Sequence, residues 1–116
     1  MRVLVVDDEP DLRALYSVNL SEAGHEVIMA SNGAEGLDVL TRERPDVILV
    51  DLMMPVMDGY EFLQNLRKMP EHRRTPVIVV SAIATGGFSK KLGASGFVAK
   101  PFDADELISA VERYAA

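Results

Sequence analysis

Four short apolar runs in this 116-residue chain end directly on side chains that could do chemistry. Val3-Leu4-Val5-Val6 leads into Asp7-Asp8, and Val47-Ile48-Leu49-Val50 leads into Asp51. Val77-Ile78-Val79-Val80 leads into Ser81, and Phe97-Val98-Ala99 into Lys100-Pro101. Carboxylates are the hard oxygen donors that Mg²⁺ takes. A carboxylate can also act as a nucleophile and become an aspartyl phosphate. Phosphoryl transfer asks mainly for positioning and charge neutralisation, which an ion, an ammonium and a hydroxyl around one carboxylate supply.

Taken singly, each residue has a plainer use. Asp8 could cap a helix opening near Pro10. Asp51 could be a solvated acid at a strand end. Ser81 could satisfy loop amides. Lys100 could lay its stem on apolar surface and keep its head in water. The combination is harder to explain away. Two carboxylates at roughly 4 Å repel by about 4 kcal/mol at an effective dielectric near 20. Three of them need compensating cations: Lys100 is one, and a divalent ion, Mg²⁺ first, adds two more charges.

The elements that must bring these groups together can be read from periodicity. The four runs, with Val27-Ile28-Met29-Ala30, are rich in β-branched residues and do not alternate, which suits strands covered on both faces. Helix-period segments lie between them. Leu12, Leu15, Tyr16, Leu20 and Ala23 share one helical stripe, with Pro10 in the first turn and Gly24 past the end. Asn32, Asp58 and Asp103 read as caps of three further helices. Five β-then-α units predict an α/β domain, three layers with a parallel five-stranded sheet, spanning residues 1–116. In such sheets ligands bind beyond the carboxyl ends of the strands, where the candidate residues fall.

Composition removes several classes. Hydrophobic residues make up 48% and charged residues 26%, close to the globular average, so disorder is excluded as a class. There is no cysteine, which excludes disulfides, zinc–thiolate sites and thiol catalysis, and two histidines exclude a multi-histidine metal site. The formal charge of −6 argues against direct contact with nucleic acid or anionic membranes. No apolar run reaches the roughly 18 residues of a bilayer span. The apolar stretch after Met1-Arg2 is too short for a signal peptide, so a cytoplasmic location is expected. His25 and His72 read as surface residues. Met53, Met54 and Met57 read as loop packing, and Arg67-Lys68 and Arg73-Arg74 as solvated charges.

In this order, the segments VLVVDDEP, DVILVDLMMPVMDGYEF, PVIVVSA and GASGFVAKPF resemble the receiver domain of two-component response regulators, from Arg2 to about Tyr114. The resemblance implies a flavodoxin-like sheet of order 2-1-3-4-5. It implies that Asp51 accepts phosphate from a sensor histidine kinase or a phosphotransfer protein. It implies Mg²⁺, or Mn²⁺ in its place, held by Asp8, Asp51 and the backbone carbonyl of Met53, with Asp7 acting through water. Lys100 and Ser81 would contact the phosphoryl oxygens, Ser81 and Phe97 would form the switch, and Lys100-Pro101 would be joined by a cis bond. Pro55 and Gly59 would shape the loop after Asp51. The protein would be a switch rather than an enzyme, acting on an output protein or on an output domain outside this chain.

Two features depart from the family pattern. The stretch between Ser81 and Lys100 is shorter by about one helical turn and contains Gly86-Gly87, so the fourth helix is expected to be short or missing and residues 84–92 mobile. Met53 and Ile83 are apolar where family members flank the hydrolytic water, which implies a slowly decaying phosphate. Alternatives remain. A metal-dependent aspartyl-phosphate phosphatase would need acids spaced D-x-D, and Asp7-Asp8 are adjacent. A flavin module would need a hydroxyl- and glycine-rich loop where the acids stand. A purely adaptor-like receiver stays open because of the shortened region.

Overall fold

A computed structural model describes residues 1–82 and 93–114 of the chain. Strands β1 (Arg2–Val6), β2 (Glu26–Ala30), β3 (Val47–Asp51), β4 (Val77–Ser81) and β5 (Gly96–Ala99) form one parallel sheet in the order β2-β1-β3-β4-β5. Helices α1 (Pro10–Glu22), α2 (Gly33–Leu40), α3 (Gly59–Leu66) and α4 (Ala104–Glu112) cover its faces, with a 3₁₀ turn at Pro70–His72. The expected short or absent helix between β4 and β5, the mobility of residues 84–92 and the position of Ile83 lie outside the described residues.

Local signals placed the helix starts. The side chains of Asn32, Asp58 and Asp103 accept hydrogen bonds from the backbone N–H groups of Glu35, Glu61 and Glu106. Each satisfies one of the donors that a helix N-terminus leaves without an intrahelical partner. Helix α1 begins on Pro10 with Glu9 at its cap position and no side-chain capping bond, so Asp8 does not serve as the cap. It ends before Gly24, which takes the left-handed φ of +92° that glycine tolerates best.

Alternate residues of the central strands fill two cores. Leu4, Val6, Ile48, Val50, Val77 and Val79 pack with Phe62, Leu63 and Leu66 of α3 and with α2. Val3, Val5, Val47, Leu49, Ile78 and Val80 pack with Tyr16 and Leu20 of α1 and Leu107 and Val111 of α4. Burial on both faces explains why these strands read as continuous apolar runs.

Several expectations need correction. His72 is buried, at 1% exposure, because its Nε2 lies 2.8 Å from the Leu40 carbonyl and fastens the 3₁₀ turn to the end of α2. His25 is largely covered and lies between the Met1 amino group, at 3.0 Å, and Glu112, at 2.9 Å. Arg67 is not simply solvated: its guanidinium donates to the carbonyls of His72, Arg73, Thr75 and Gly93. Leu15 and Met53 are exposed; the buried stripe of α1 is centred on Tyr16 and Leu20 instead. Among the three loop methionines, Met54 is buried and the side chain of Met57 lies against Gly33.

Candidate functional site

Strand register brings the candidate residues to one sheet edge. Val6 pairs with Val50, so Asp7 and Asp51 follow one step later on neighbouring strands. Asp51 pairs with Val80 on β4, and Ser81 pairs with Ala99 on β5. The N–H of Lys100 then donates to the Ser81 carbonyl at 2.9 Å. The two-residue period of a strand continues the α1/α4 face from Val3 and Val5 to Asp7, from Val47 and Leu49 to Asp51, and from Val98 to Lys100.

Asp7, Asp8 and Asp51 each present a carboxylate oxygen within 4.8 Å of the others. Asp7 and Asp51 are almost fully buried, at 1% and 4% exposure. The Lys100 Nζ stands 3.0 Å from Asp51 Oδ2 and 4.0 Å from Asp7 Oδ2. The peptide bond between Lys100 and Pro101 is cis. Asp51 Oδ1 accepts from the Met53 N–H at 3.2 Å, and Asp7 Oδ1 accepts from the Glu9 N–H at 2.9 Å. Burial holds the Asp7 carboxyl above the usual carboxylate range; the Glu9 N–H opposes this, Asp51 adds to it and Lys100 opposes it.

The loop after Asp51 is built around close contacts. A Cβ on Gly59 would lie 2.8 Å from Leu52 Cα and 2.9 Å from the Asp51 carbonyl oxygen, so the first residue of α3 has no room for a side chain. The Gly59 N–H donates to the Leu52 carbonyl at 2.9 Å. Before it, Val56 takes φ +70° while the Met57 N–H donates to the Pro55 carbonyl at 2.8 Å, a tight γ-turn. Ser81 is buried at the end of β4. Phe97 is partly buried and packs against the α2/α3 core.

Two neighbours of the site were not read as site residues in the sequence, where Tyr16 was placed only in the helical stripe. Arg13 donates to the Asp7 carbonyl at 2.7 Å, and the Tyr16 hydroxyl donates to Asp7 Oδ2 at 3.4 Å. Arg13 carries no local signal, because its partner is set by how α1 packs. Tyr16 does carry one: a phenol on the buried stripe of an amphipathic helix needs a hydrogen-bond partner.

The donor set suits a hard divalent ion. Three carboxylates offer oxygens at one place, and among the described residues the ammonium of Lys100 faces them. One cation shared by the three would relieve their mutual repulsion.

Comparison with known proteins agrees with this geometry. The family model described as the response regulator receiver domain matches residues 3–112. Sporulation initiation phosphotransferase F of Bacillus subtilis is 39% identical over 97% of this chain and 92% of its own length. The transcriptional regulator RpaA of Synechocystis is 35% identical, and the chain spans 47% of it. Chemotaxis protein CheY4 of Vibrio cholerae superposes with a TM-score of 0.92 at 34% identity over 97% of both chains. The receiver domain of the sensor histidine kinase PA1611 from Pseudomonas aeruginosa, whose structure has magnesium coordinated in the active-site cleft, superposes at 0.89 with 30% identity over 97% of this chain and 95% of that one. Among the described residues no helix is long and apolar enough to cross a membrane. With sheet order, acidic cluster and sequence relatives in agreement, the chain belongs to the response regulator receiver domain family of two-component signalling.

Proposed function

We propose that Asp51 is the phosphoacceptor of this receiver and that Asp7, Asp8, Ser81 and Lys100 serve its phosphorylation. The observation that carries the reading is the buried Asp51 carboxylate, 3.0 Å from Lys100 Nζ and within one cluster with Asp7 and Asp8. The Asp51 oxygen attacks phosphorus, and the bond from phosphorus to the donor, a phosphohistidine nitrogen of a sensor kinase or phosphotransfer protein, breaks. Asp7, Asp8, Asp51 and the Met53 carbonyl would hold Mg²⁺ or Mn²⁺, which when bound supplies charge neutralisation for the phosphoryl oxygens. Lys100 exchanges its contact with the carboxylate for one with a phosphoryl oxygen. The Ser81 hydroxyl donates to another oxygen, and Phe97, on the neighbouring strand, follows the movement of the Ser81 backbone. The chain thereby assists its own phosphorylation and dephosphorylation without turning over an external substrate.

The B. subtilis relative is named as a phosphotransferase, and the chain spans most of that protein but less than half of the transcriptional regulator RpaA. Both fit a cytoplasmic relay or switch whose effect is exerted on another protein or on an attached output domain. Incubation with acetyl phosphate and Mg²⁺, followed by intact mass measurement, tests the site. One phosphate is expected on the wild type, and none on Asp51→Asn or in excess chelator. Equal labelling of Asp51→Asn would overturn the assignment.

A further inference from the structure

Tyr16 stands where the acidic cluster meets the core. It is 1% exposed, on the inner face of α1 among Val3, Val5, Leu20 and Leu49. A phenylalanine would fill that space equally well. The hydroxyl is a polar atom that the core tolerates only with a partner, and that partner is Asp7 Oδ2, at 3.4 Å. Asp7 is therefore held from two sides: the Glu9 N–H on Oδ1 at 2.9 Å, and the phenol on Oδ2, the oxygen that also faces Lys100 at 4.0 Å. The Tyr16 ring lies almost parallel to that of Phe102, with centroids 5.6 Å apart and an interplanar angle of 11°. Phe102 follows Lys100 and Pro101 directly in the chain. One side chain thus touches both halves of the site, the acid of β1 and the segment that carries the lysine of β5.

We propose that Tyr16 is a positioning residue of the receiver site, whose hydroxyl orients Asp7 for a divalent ion and whose stacked ring ties that carboxylate to the Lys100-Pro101-Phe102 segment. The inference rests on the reading of Asp7 as an ion-holding residue. Partners that orient a metal-holding carboxylate are typically worth 10- to 100-fold in metal affinity. The 3.4 Å separation is long for a hydroxyl–carboxylate bond and places the effect at the lower end. Because the phenol touches the carboxylate directly, ion binding at Asp7 changes the surroundings of the Tyr16 ring. The chain has no tryptophan and only three tyrosines, so the tyrosine near-ultraviolet signal is uncluttered.

The test is a Mg²⁺ titration of the full chain, followed in parallel by calorimetry and by near-ultraviolet circular dichroism. The wild type is expected to show a tyrosine signal that saturates together with the calorimetric binding. Tyr60→Phe should keep that signal. Tyr16→Phe should lose most of it, bind Mg²⁺ roughly tenfold more weakly, and recover the wild-type rate of phosphorylation by acetyl phosphate at saturating Mg²⁺. A merely structural role would lower the thermal midpoint of Tyr16→Phe and leave its Mg²⁺ affinity unchanged, and that result would overturn the proposal. Calorimetric binding to the wild type without a tyrosine signal would also overturn it, while leaving the ion site intact. Absence of any Mg²⁺ or Mn²⁺ binding to the wild type would overturn the ion site and this proposal together.

Discussion

The two ends of the sheet treat charge in opposite ways. At the N-terminal ends of the strands, Arg2 lies between Glu26 and Glu43, and its backbone N–H donates to Asp46 at 2.7 Å. Ahead of β4 and β5, the Arg67 guanidinium is spread over four backbone carbonyls. At the C-terminal ends, among the described residues, three carboxylates gather in front of the Lys100 ammonium, and two of the acids are buried. The first arrangement is what stability favours, with charges matched by opposite charges or by dipoles. The second holds like charges together at a cost. A fold keeps such a cluster when something outside the chain, an ion or a phosphoryl group, completes it. The working end is therefore marked by its electrostatics as well as by its motifs.

Breaking the compensated end should give the largest loss of stability. Arg67→Met keeps the stem of the side chain and removes the donors to the His72, Arg73, Thr75 and Gly93 carbonyls, two of these bonds being partly shielded from solvent. The expected cost is about 2 to 4 kcal/mol, read as a lower urea midpoint at unchanged slope. The rate of phosphorylation of the folded protein should not change. An unaltered midpoint would show that water replaces the guanidinium fully and that the two ends differ less than their contacts suggest.

A smaller loss should come from steric pressure at the working end. Gly59→Ala pushes a methyl group onto the backbone of Asp51 and Leu52, at 2.9 and 2.8 Å. Overpacking of this kind costs about 1 to 3 kcal/mol, offset in part by the better helix propensity of alanine. Unlike Arg67→Met, it should also slow phosphorylation by acetyl phosphate, because the displaced backbone carries Asp51, the proposed acceptor. Loss of stability with an unchanged rate would separate the loop geometry from the chemistry.

How much of this the sequence showed depends on how local each interaction is. The central strands were legible because Val3-Leu4-Val5-Val6, Val47-Ile48-Leu49-Val50 and Val77-Ile78-Val79-Val80 are buried on both faces. The edge strands β2 and β5, which leave Met29 and Ala99 exposed, were legible from their apolar composition and not from double coverage. The caps at Asn32, Asp58 and Asp103 were legible because donor and acceptor lie three residues apart. The candidate site was legible because a parallel sheet delivers the ends of its strands to one edge, so Asp7, Asp51 and Lys100 needed no long-range guess. Strand order came from family resemblance, since periodicity says nothing about which strands pair. His72 was misread because its partner, the Leu40 carbonyl, lies 32 residues away. Arg67 was misread because its partners are carbonyls freed by the irregular turn at His72, Arg73 and Thr75 and by Gly93, 26 residues away, none of which periodicity marks. Leu15 shared the helical spacing of Tyr16 and Leu20, yet which part of a wide apolar stripe is covered depends on the neighbouring elements. Tyr16 was assigned to the core for its ring, and its hydroxyl went unread.

The most discriminating change reverses the sign of the effect. Asp7→Asn removes one of the three clustered charges, keeps the size, and retains an oxygen to accept from the Glu9 N–H. Burial raises the carboxyl of Asp7 above its ordinary range, with Asp51 adding to the effect, so the native state favours the protonated form. The stability this group contributes is present below the ordinary carboxylate range and is lost as pH rises through the raised native value. At neutral pH the ionised side chain is a net cost, and asparagine, neutral throughout, avoids it. Without divalent ions Asp7→Asn should therefore be more stable than the wild type by about 1 to 2 kcal/mol at neutral pH, because Lys100 and water already offset part of the repulsion. The difference should shrink as pH falls and Asp7 becomes protonated in the wild type. Saturating Mg²⁺ should erase most of the advantage, because an ion that binds only the native state stabilises the wild type more than a variant lacking one of its carboxylates. Urea midpoints measured across the acid-to-neutral range, with Mg²⁺ and with chelator, read all three dependences. A variant less stable than the wild type in chelator at neutral pH would mean that the Glu9, Tyr16 and Lys100 contacts outweigh the repulsion, and the C-terminal end of the sheet would then be as well compensated as the other.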